Sequence, residues 1–403
     1  MAKRPCVLFD LDDTVVLSRP LAHIREAARD GGNWGAVYAR FGETSLPAGT
    51  ANFLRGLMDS ASVGVVTMAP RSYAERLLRH HGLTLPVLVA FHDTGRHKPD
   101  PEPLLRALDM LAASAGAATY VGDDAVDSIA ALNAGVVPLQ VDWWSAGRSG
   151  PGRFASWVDV REMLDALWGA PQSEPRSGAE SGSYSSALHA EACVRWYSPD
   201  EWASHAYYPS HDAAHQTSLS TQFVLDVKNR DSQAQDAAAS IMVEAIQRNE
   251  SYLRLVRRVR FVAGIPGHRA TSHQSPMELI AERVADAVPW LAVGGRLRRV
   301  VDVPRSATAD VRPGIATHAA SMAWEGASLS QNDGLLLLDD VLTRGATFRG
   351  AQLAVGASST CLSVVGFFLA KTQSSEGLSH STPSNNATAP PAQVGPWRGP
   401  QPC

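Results

Sequence analysis

The chain has 403 residues, of which 45% are hydrophobic and 19% are charged, and its formal net charge is −4. This length exceeds what one hydrophobic core usually supports, so it predicts two domains. The near-neutral charge argues against nucleic acid as a partner, and no run of residues is as long and apolar as a membrane helix requires.

The cysteines and the N-terminal residues bear on the cellular compartment. The four cysteines are scattered and form no CxxC pair: Cys6, Cys193, Cys361 and Cys403. This spacing argues against a disulfide scaffold and against a zinc module. The first residues contain no apolar region of a signal peptide. We therefore expect a cytoplasmic protein in a reducing compartment.

The first part of the chain, residues 1–168, alternates short apolar runs with helical patterns. Such alternation is typical of an α/β fold in which helices cover both faces of a parallel sheet. Five strands are predicted, at 7–9, 63–66, 85–91, 118–121 and 136–141. Helices are predicted at 72–81 and 102–115. Residues 20–41 are the only segment that can form a cap, and it is a minimal one.

The first predicted strand leads into two carboxylates, Asp10 and Asp12, at the edge of the sheet where ligands bind in such folds. A spacing of two residues lets them share a side, so one can attack phosphorus while the other handles the proton on the leaving oxygen. Charge crowded beside a phosphate requires a divalent cation, and hard oxygen ligands suit Mg²⁺. An Asp-rich turn that caps a helix is the alternative interpretation.

Polar residues also follow the later strands. Thr67 follows the second strand, Lys98 follows the third, and Asp123, Asp124 and Asp127 follow the fourth. Taken singly, Thr67 could cap a helix and Lys98 could lie in a solvated loop. In this order, however, the chain resembles the four motifs of the haloacid dehalogenase (HAD) phosphohydrolase superfamily over residues 5–168.

The resemblance implies a Rossmann-like parallel sheet and a role for each motif residue. Asp10 would be the nucleophile that forms an aspartyl-phosphate, and Asp12 would be the general acid and base. Thr67 and Lys98 would hold the phosphoryl oxygens. An Asp at the acid/base position favours phosphatase over dehalogenase chemistry. The residues implied around Mg²⁺ are Asp10, Asp12 through its backbone carbonyl, Asp123 and the supporting Asp127. Because the cap is small, we also consider the second domain as a lid over this site.

The composition shifts to Ser, Gly and Pro at 169–188, which predicts a linker, and the alternation of strands and helices resumes at 189–372. This segment is predicted to be a second α/β domain. Its predicted helices are 236–247 and 276–287, and its predicted strands are 259–263, 300–303, 335–338 and 363–370. Residues 373–403 are rich in Ser and Pro and are predicted to be disordered.

Within the second domain, the run Leu335-Leu336-Leu337-Leu338 delivers Asp339 and Asp340 and then a loop that opens a helix. Backbone N–H groups there can cradle a phosphate, and the two carboxylates can bind ribose hydroxyls. The block resembles the 5-phosphoribosyl-1-pyrophosphate (PRPP) signature of type I phosphoribosyltransferases. The implied binding residues are Asp339, Asp340, Thr343, Arg344, Gly345, Ala346 and Thr347. Arg344 departs from the usual Thr.

Looser similarities extend over 190–372. Residues 223–230, with Lys228, stand where ComF-type members carry a strand-to-helix segment, and 261–268, with His268, would be a strand and a pyrophosphate loop. Lys228 and His268 stay open between direct and structural roles. Several aromatic residues could contact a base, bind a metal or be ordinary surface and core residues: His205, Tyr207, Tyr208, His211 and His215.

The two resemblances together predict a bifunctional enzyme. The second domain would transfer phosphoribosyl from PRPP to a base or similar acceptor, and the HAD domain would remove the 5′-phosphate to leave a nucleoside-like product. The alternative is a HAD phosphatase regulated by a PRPP- or nucleotide-sensing domain that has no transferase activity. The expected partners are small molecules, and a homodimer is left open. A phosphatase for nucleic-acid ends is disfavoured by the neutral charge.

Overall fold

A computed structural model of the protein describes residues 4–144, 152–169, 192–209, 219–270, 273–304, 313–326, 328–361 and 363–373. The predicted linker (169–188) and tail (373–403) lie outside this part, except for their first residues. Gly169 ends a helix of the first domain, and Gln373 ends a strand of the second. Within the described ranges, no helix has both the length and the apolar character needed to cross a bilayer.

The first domain is built on a six-stranded sheet, which is parallel throughout and has the order β3-β2-β1-β4-β5-β6. Its strands are β1 Cys6–Phe9, β2 Ser62–Val66, β3 Val87–Val89, β4 Ala118–Gly122, β5 Val137–Val141 and β6 Arg153–Phe154. β1 and β4 are buried along their whole length, as expected for strands with helices on both faces. The five predicted strands are present. The third is shorter than predicted because a 3₁₀ turn begins at Phe91.

Seven helices of the described first domain connect and cover these strands. They are α1 Ala22–Gly31, α2 Gly35–Tyr38, α3 Thr50–Ser60, α4 Arg71–His80, α5 Glu102–Met110, α6 Ala125–Asn133 and α7 Trp157–Gly169. The helix predicted at 102–115 stops at Met110, because Ala112 adopts a left-handed backbone with φ of 49°. α1 and α2 form the small cap between β1 and α3.

The second domain contains a six-stranded sheet in the order β10-β9-β13-β14-β8-β7. The paired strands are parallel except for β7, which runs antiparallel to β8 at the edge. The strands of this domain are β7 Ala192–Ser198, β8 Glu201–Pro209, β9 Val259–Gly264, β10 Ala292–Val293, β11 Gly295–Arg299, β12 Met322–Gly326, β13 Gly334–Leu342 and β14 Ser363–Gln373. β11 and β12 form a separate antiparallel pair.

The helices of the second domain correct one sequence expectation. They are α8 Leu219–Lys228, α9 Ser232–Arg248, a π-helix Ser251–Val256, α10 Pro276–Ala287, α11 Ile315–Ala320 and α12 Ala346–Ser358. Residues 223–230 were expected to run from a strand into a helix, but they belong to α8 and the turn after it. Phe223, Val224 and Val227 are buried at helical spacing, which explains why the apolar run also fits a strand.

The strand predicted at 300–303 is also wrong. The strand of this region is β11, which ends at Arg299, whereas Val300 and Val301 are 47% and 58% exposed. Arg299 is buried instead, because its guanidinium donates hydrogen bonds to Gly267 O at 2.9 Å and to Ser321 Oγ at 2.6 Å. The sequence suggests that the valines are buried in a strand and the arginine is exposed, whereas the structure has the two valines exposed and the arginine buried with hydrogen-bond partners.

The two domains pack directly on each other. β7 and the π-helix of the second domain contact α6, β5 and α7 of the first, and one apolar cluster continues across the contact. The backbone N–H of Trp196 donates to Asn133 Oδ1 at 2.9 Å. Asn133 is the last residue of α6, about 12 Å along the helix axis from its first turn. This hydrogen bond lies at the end of α6 that is remote from Asp127, so it gives no support to the lid hypothesis.

Replacing Asn133 by Ala should weaken this contact. The change leaves the Trp196 N–H without its acceptor, so we expect the free energy of unfolding to fall by about 1 kcal/mol. Urea denaturation followed by tryptophan fluorescence measures the loss. Asn133→Asp keeps an acceptor oxygen and should lose less. Equal stability of Asn133→Ala and the wild type would mean that the hydrogen bond contributes nothing to docking.

Candidate active site

Asp10 lies in the middle of the first sheet, directly after β1 and between β2 and β4. Its backbone N–H donates to Val121 O at 2.8 Å, which continues the ladder between β1 and β4. Its side chain is buried. The carboxylate is therefore held at the centre of the carboxyl edge, the position where open α/β sheets bind ligands.

Lys98 is buried beside Asp10. Its Nζ donates to Asp10 Oδ1 at 2.7 Å and to Asp127 Oδ1 at 2.6 Å. Burial alone would lower the pKa of Lys98, but Asp10, Tyr120 and Asp127 outweigh it and hold this pKa well above its ordinary value. Lys98 is therefore a permanent cation between two carboxylates.

Tyr120 on β4 is a site residue that the sequence reasoning missed. Its hydroxyl donates to Val66 O at 2.9 Å and accepts a hydrogen bond from Lys98 Nζ at 2.9 Å. Burial raises the pKa of this phenol well above its ordinary value, so it stays protonated. The signal was a phenol in a buried strand, two residues before Gly122.

Three carboxylates meet at this edge. Asp10, Asp123 and Asp127 each present one oxygen, and these oxygens all lie within 4.8 Å of one another. Burial, reinforced by Asp127 and Asp13, raises the pKa of Asp123 to about 7. Burial also raises the pKa of Asp10, although Lys98 opposes the shift. One lysine cannot neutralise three carboxylates, and a cluster of hard oxygen ligands fits Mg²⁺.

The close packing of Asp127 requires a glycine at position 122, the last residue of β4. The Asp127 side chain lies over Gly122 so closely that a Cβ there would approach its carboxyl group to 2.5 Å. Asp127 Oδ2 also accepts from the backbone N–H of Asp124 at 3.3 Å, and Asp124 caps α6 by accepting from Val126 N at 3.2 Å. Asp124 therefore has a structural role, and Asp127 is fixed by the start of α6.

Asp12 is held by residues of the cap and of α4. Its Oδ1 accepts from Ser18 Oγ at 2.6 Å and from the Tyr73 hydroxyl at 2.7 Å, and it forms an ion pair with Arg25. Asp12 is nevertheless close enough to Asp10 for its charge to help raise the pKa of Asp10. Asp12 lies outside the three-carboxylate group, as a ligand acting through its backbone carbonyl would. Arg25 and Tyr73 were not identified from the sequence.

Thr67 and Asp13 complete the surroundings of the site. Thr67 is buried directly after β2, where its hydroxyl accepts from Ala69 N at 3.1 Å. Asp13 Oδ1 accepts from Ser18 N at 3.1 Å and from Arg19 N at 2.9 Å. Asp13 therefore holds in place the backbone that leads into the cap. Thr67 follows β2, the strand next to the one that Asp10 follows.

The second candidate site lies at the carboxyl end of β13. Asp340 Oδ2 is 3.3 Å from Lys228 Nζ on α8, so the structure brings Lys228 to the acidic pair. Burial and the neighbouring Asp340 raise the pKa of Asp339 well above its ordinary value. Asp339 accepts the Asp340 N–H at 2.9 Å, which orients the pair.

The predicted phosphate cradle forms the loop between β13 and α12. Gly345 has φ of 73°, a left-handed conformation that glycine adopts without strain, and α12 begins at Ala346. The loop from Thr343 to Thr347 lines a pocket of about 70 Å³. Lys371 Nζ donates to Thr343 O at 2.9 Å and holds the loop to β14. Arg344 also lines the pocket.

His318 on α11 also lines this pocket, and the sequence reasoning missed it. It is buried, and its Nε2 is 3.5 Å from Thr347 Oγ1. Within the described residues its Nδ1 has no hydrogen-bond partner. Burial, reinforced by Arg299, lowers the pKa of this imidazole, so it is neutral at pH 7. No spacing in the sequence links it to the cradle.

Among the remaining candidates whose side chains the structure describes, His268 does not line the pocket. His268 follows β9, and its backbone O accepts from Val303 N at 2.9 Å. His205, Tyr207 and Tyr208 lie on β8, where the structure describes only the backbone. His211 and His215 lie outside the described residues.

Residues 36–141, about a quarter of the chain, match the family described as haloacid dehalogenase-like hydrolase. The matched range begins after β1 and its two aspartates and includes four predicted site residues, Thr67, Lys98, Asp123 and Asp127. These residues therefore belong to a haloacid dehalogenase-like hydrolase domain. The match ends before the second domain and does not bear on it.

Two curated relatives resemble a similar share of the chain. The phosphoglycolate phosphatase of Cupriavidus necator is 42% identical over 106 residues, which are 25% of this chain and 46% of that protein. The pyrophosphatase PpaX of Bacillus cereus is 37% identical over 107 residues, which are 26% of this chain and 50% of that protein. The chain thus spans about half the length of these relatives.

Solved structures of HAD proteins also align with the chain. The HAD phosphatase from Thermococcus onnurineus aligns with a TM-score of 0.34 and 19% identity, over 40% of this chain and 97% of that one. A HAD-superfamily hydrolase of subfamily IA from Geobacter sulfurreducens aligns with a TM-score of 0.34 and 20% identity, over 40% of this chain and 100% of that one. Both alignments cover less than half of this chain.

The raised pKa of Asp123 makes metal binding depend on pH. The folded-state pKa of about 7 exceeds the ordinary value of 3.8, so Asp123 contributes less to stability as pH rises from about 4 to 7. Mg²⁺ must displace this proton below pH 7. We therefore expect saturating Mg²⁺ to raise the Tm more at about pH 8 than at about pH 5.

Differential scanning fluorimetry with and without Mg²⁺ measures this gain. Asp123→Asn should lose most of it at the higher pH. Asp59→Asn, at an exposed position on α3, should retain it. A gain of equal size at both pH values would contradict binding at these carboxylates.

Proposed function

We propose that the N-terminal domain is a Mg²⁺-dependent phosphatase in which Asp10 is the nucleophile. The observation that carries this proposal is the buried group of Asp10, Lys98, Asp123 and Asp127 at the carboxyl edge of the sheet. Lys98 holds Asp10 in place by donating to Oδ1 at 2.7 Å, and its charge opposes the rise in the pKa of Asp10 that burial causes. A carboxylate that is fixed beside a cation is suited to attack phosphorus.

The proposed reaction has two steps. Asp10 forms a bond to phosphorus, the ester P–O bond breaks, and the leaving oxygen takes a proton from Asp12. Water then attacks phosphorus and gives a proton to Asp12, the bond between Asp10 and phosphorus breaks, and phosphate is released. Lys98 and Thr67 would bind the phosphoryl oxygens. When bound by Asp10, Asp123 and the Asp12 carbonyl, Mg²⁺ would neutralise negative charge around the phosphate.

The substrate class that we propose for this domain rests on the names of its relatives and on the size of its cap. The two relatives are named for phosphoglycolate and for pyrophosphate, and each is a small compound with one phosphoryl group to transfer. The cap formed by α1 and α2 is small, so a larger phosphomonoester could also enter. We propose small phosphorylated metabolites, which include 5′-phosphorylated ribosides, as the substrate class.

Asp10→Asn tests the nucleophile directly. Because an amide is a poor nucleophile, we expect the variant to lose at least about 1,000-fold in kcat on any phosphomonoester that the wild type hydrolyses with Mg²⁺. Phosphate release measured with malachite green provides the readout. Asp59→Asn serves as the matched control and should keep wild-type turnover. Persistent activity in Asp10→Asn would assign the nucleophile to another residue.

For the second domain, we propose a PRPP site that transfers phosphoribosyl to a base or similar acceptor. The proposal is supported by the acidic pair at the end of β13, the left-handed Gly345 and the pocket at the start of α12. N–H groups of the loop would hold the 5′-phosphate, and Asp339 and Asp340 would hold ribose hydroxyls. In the transfer, the acceptor bonds to C1′ of ribose while the bond from C1′ to pyrophosphate breaks.

The two proposed reactions can follow each other. Transfer yields a 5′-phosphorylated riboside and pyrophosphate, and a phosphatase can remove the 5′-phosphate. The first domain would then make the transfer effectively irreversible and release a nucleoside-like product. The docking of the two domains through α6 and β7 keeps both sites in one assembly.

A sensor is the second candidate function. The specific observation that favours it is the contact between β7 and α6, since α6 follows the capping residue Asp124 and carries Asp127 in its first turn. A ligand that moved β7 could shift Asp127 and with it Lys98. In that case, PRPP or a nucleotide would regulate the phosphatase without any transfer.

Pyrophosphate release from PRPP with Mg²⁺, measured over a panel of bases, separates these functions. We expect release with a particular base and accumulation of a 5′-phosphorylated riboside in Asp10→Asn, because the phosphatase is then silent. Adding Asp340→Asn should reduce release at least about 10-fold, since it removes a charge from the ribose site. A PRPP-dependent change in phosphatase rate without pyrophosphate would identify a sensor and contradict transfer.

A further inference from the structure

His318 is a buried side chain at the phosphate cradle that the proposed transfer does not use. It lies on α11, is only 4% exposed, and lines the pocket of about 70 Å³ together with Thr347 of α12. Its Nε2 lies 3.5 Å from Thr347 Oγ1, whereas its Nδ1 has no hydrogen-bond partner within the described residues. The imidazole therefore contacts the cradle through one nitrogen.

The position of this imidazole is fixed from two sides. On one side, α12 carries Gly350, where a Cβ would collide with the His318 side chain. On the other side, Ser321 Oγ donates to His318 O at 2.9 Å and accepts from the buried Arg299 at 2.6 Å. Because its backbone is anchored and its Cβ packs against a glycine, the ring has little room to turn away from Thr347.

The surroundings of the two ring nitrogens indicate which of them carries the proton. Burial, reinforced by Arg299, lowers the pKa of His318, and a neutral imidazole has one N–H and one bare nitrogen. A proton on Nδ1 would be a buried donor without an acceptor, and such orphaned N–H groups are rarer in proteins than unused lone pairs. The proton therefore belongs on Nε2, where Thr347 Oγ1 is the acceptor.

This tautomer sets the direction of the Thr347 hydroxyl. A hydroxyl oxygen that accepts from an N–H directs its own hydrogen elsewhere. Within the described residues, the contact with His318 is the hydrogen bond that the structure shows for this hydroxyl. Thr347 lies in the first turn of α12, where the first backbone N–H groups of a helix are unpaired and attract anions. Its hydroxyl hydrogen can therefore point to a phosphate in the pocket.

We infer that His318 is a positioning residue of the phosphate cradle, which donates from Nε2 to Thr347 Oγ1 and so makes the Thr347 hydroxyl a donor to the phosphate of the ligand. This inference rests on the PRPP site proposed for the second domain and specifies how that site holds its phosphate. Without the imidazole, the hydroxyl of a helical threonine can turn back to the carbonyl one turn earlier, here Thr343 O, and its hydrogen is then lost to the phosphate.

A double-mutant cycle tests this coupling. Titration calorimetry of the full-length protein with PRPP and Mg²⁺ gives the Kd, and every protein carries Asp10→Asn so that the phosphatase does not consume the ligand. We expect Thr347→Val to raise the Kd about 10- to 100-fold, because it removes a hydrogen bond to a charged group. His318→Leu alone should raise it about 5-fold or more, but should change the Kd of Thr347→Val by less than about 2-fold.

Two variants with the same Asp10→Asn background control for packing. His318→Gln retains an N–H donor and should keep the Kd within about 3-fold of the unsubstituted value. A loss in His318→Gln as large as that in His318→Leu would assign the effect to packing instead of donation. Thr317→Ala, at an exposed position on the same helix, should leave the Kd unchanged. Thermal melting of each variant verifies folding.

The tautomer can be measured without any substitution near the cradle. The ¹⁵N chemical shifts of labelled histidines distinguish a proton on Nε2 from one on Nδ1, and the signal that disappears in His318→Gln belongs to His318. We expect the proton on Nε2. This measurement provides the test if His318→Leu does not fold.

The outcomes separate the role of His318 from the function on which it rests. An unchanged Kd in His318→Leu, losses that multiply in the double mutant, or a proton on Nδ1 would each overturn the role of His318, while a weakened Thr347→Val would leave the PRPP site standing. A folded protein that does not bind PRPP with Mg²⁺ would overturn the PRPP site and the role of His318 with it.

Discussion

The first domain is organised around one buried ammonium group. Lys98 Nζ lies between Asp10 and Asp127 at 2.7 Å and 2.6 Å and receives further support from Tyr120. A charge taken out of water is tolerated only when it is paired and hydrogen-bonded, so these four side chains must be placed together or not at all. They come from β1, β4, α6 and the loop after β3. Lys98, which contacts the other three side chains, therefore fixes how β1, β4, α6 and the loop after β3 meet.

The same constraint explains features that look unrelated. Gly122 must lack a side chain because Asp127 lies over it on the way to Lys98. Tyr120 must be a phenol rather than another apolar residue, since its hydroxyl joins Lys98 to the end of β2 at Val66. The carboxylates still outnumber the lysine. Burial and then this excess negative charge raise the pKa of Asp123, and the same charge favours the binding of a cation. The excess of carboxylates over lysine therefore lowers the stability of the site without metal and raises its affinity for Mg²⁺.

The strands of the first domain and their terminal residues could be predicted because the side-chain period and the strand ends are local properties. Asp10, Lys98, Asp123 and Asp127 were all identified this way, and the structure brings them together. Arg25 and Tyr73 could not be identified, because they reach Asp12 from two separate helices and no local pattern in the sequence marks these contacts. The expected strand at 300–303 failed for a related reason. Arg299 is buried by hydrogen bonds to Gly267 and Ser321, which no pattern of apolar residues reveals.

The two candidate sites use the same geometry with different charge balances. Each presents aspartates at the carboxyl end of a central strand beside a helix that begins there. In the first, the lysine is buried and its ion pairs are shielded from water. In the second, Lys228 and Asp340 have side chains that are 41% and 24% exposed and lie 3.3 Å apart, so water screens their attraction. The first site is therefore rigid before substrate binds. In the second, the acidic pair is only partly neutralised by the exposed lysine.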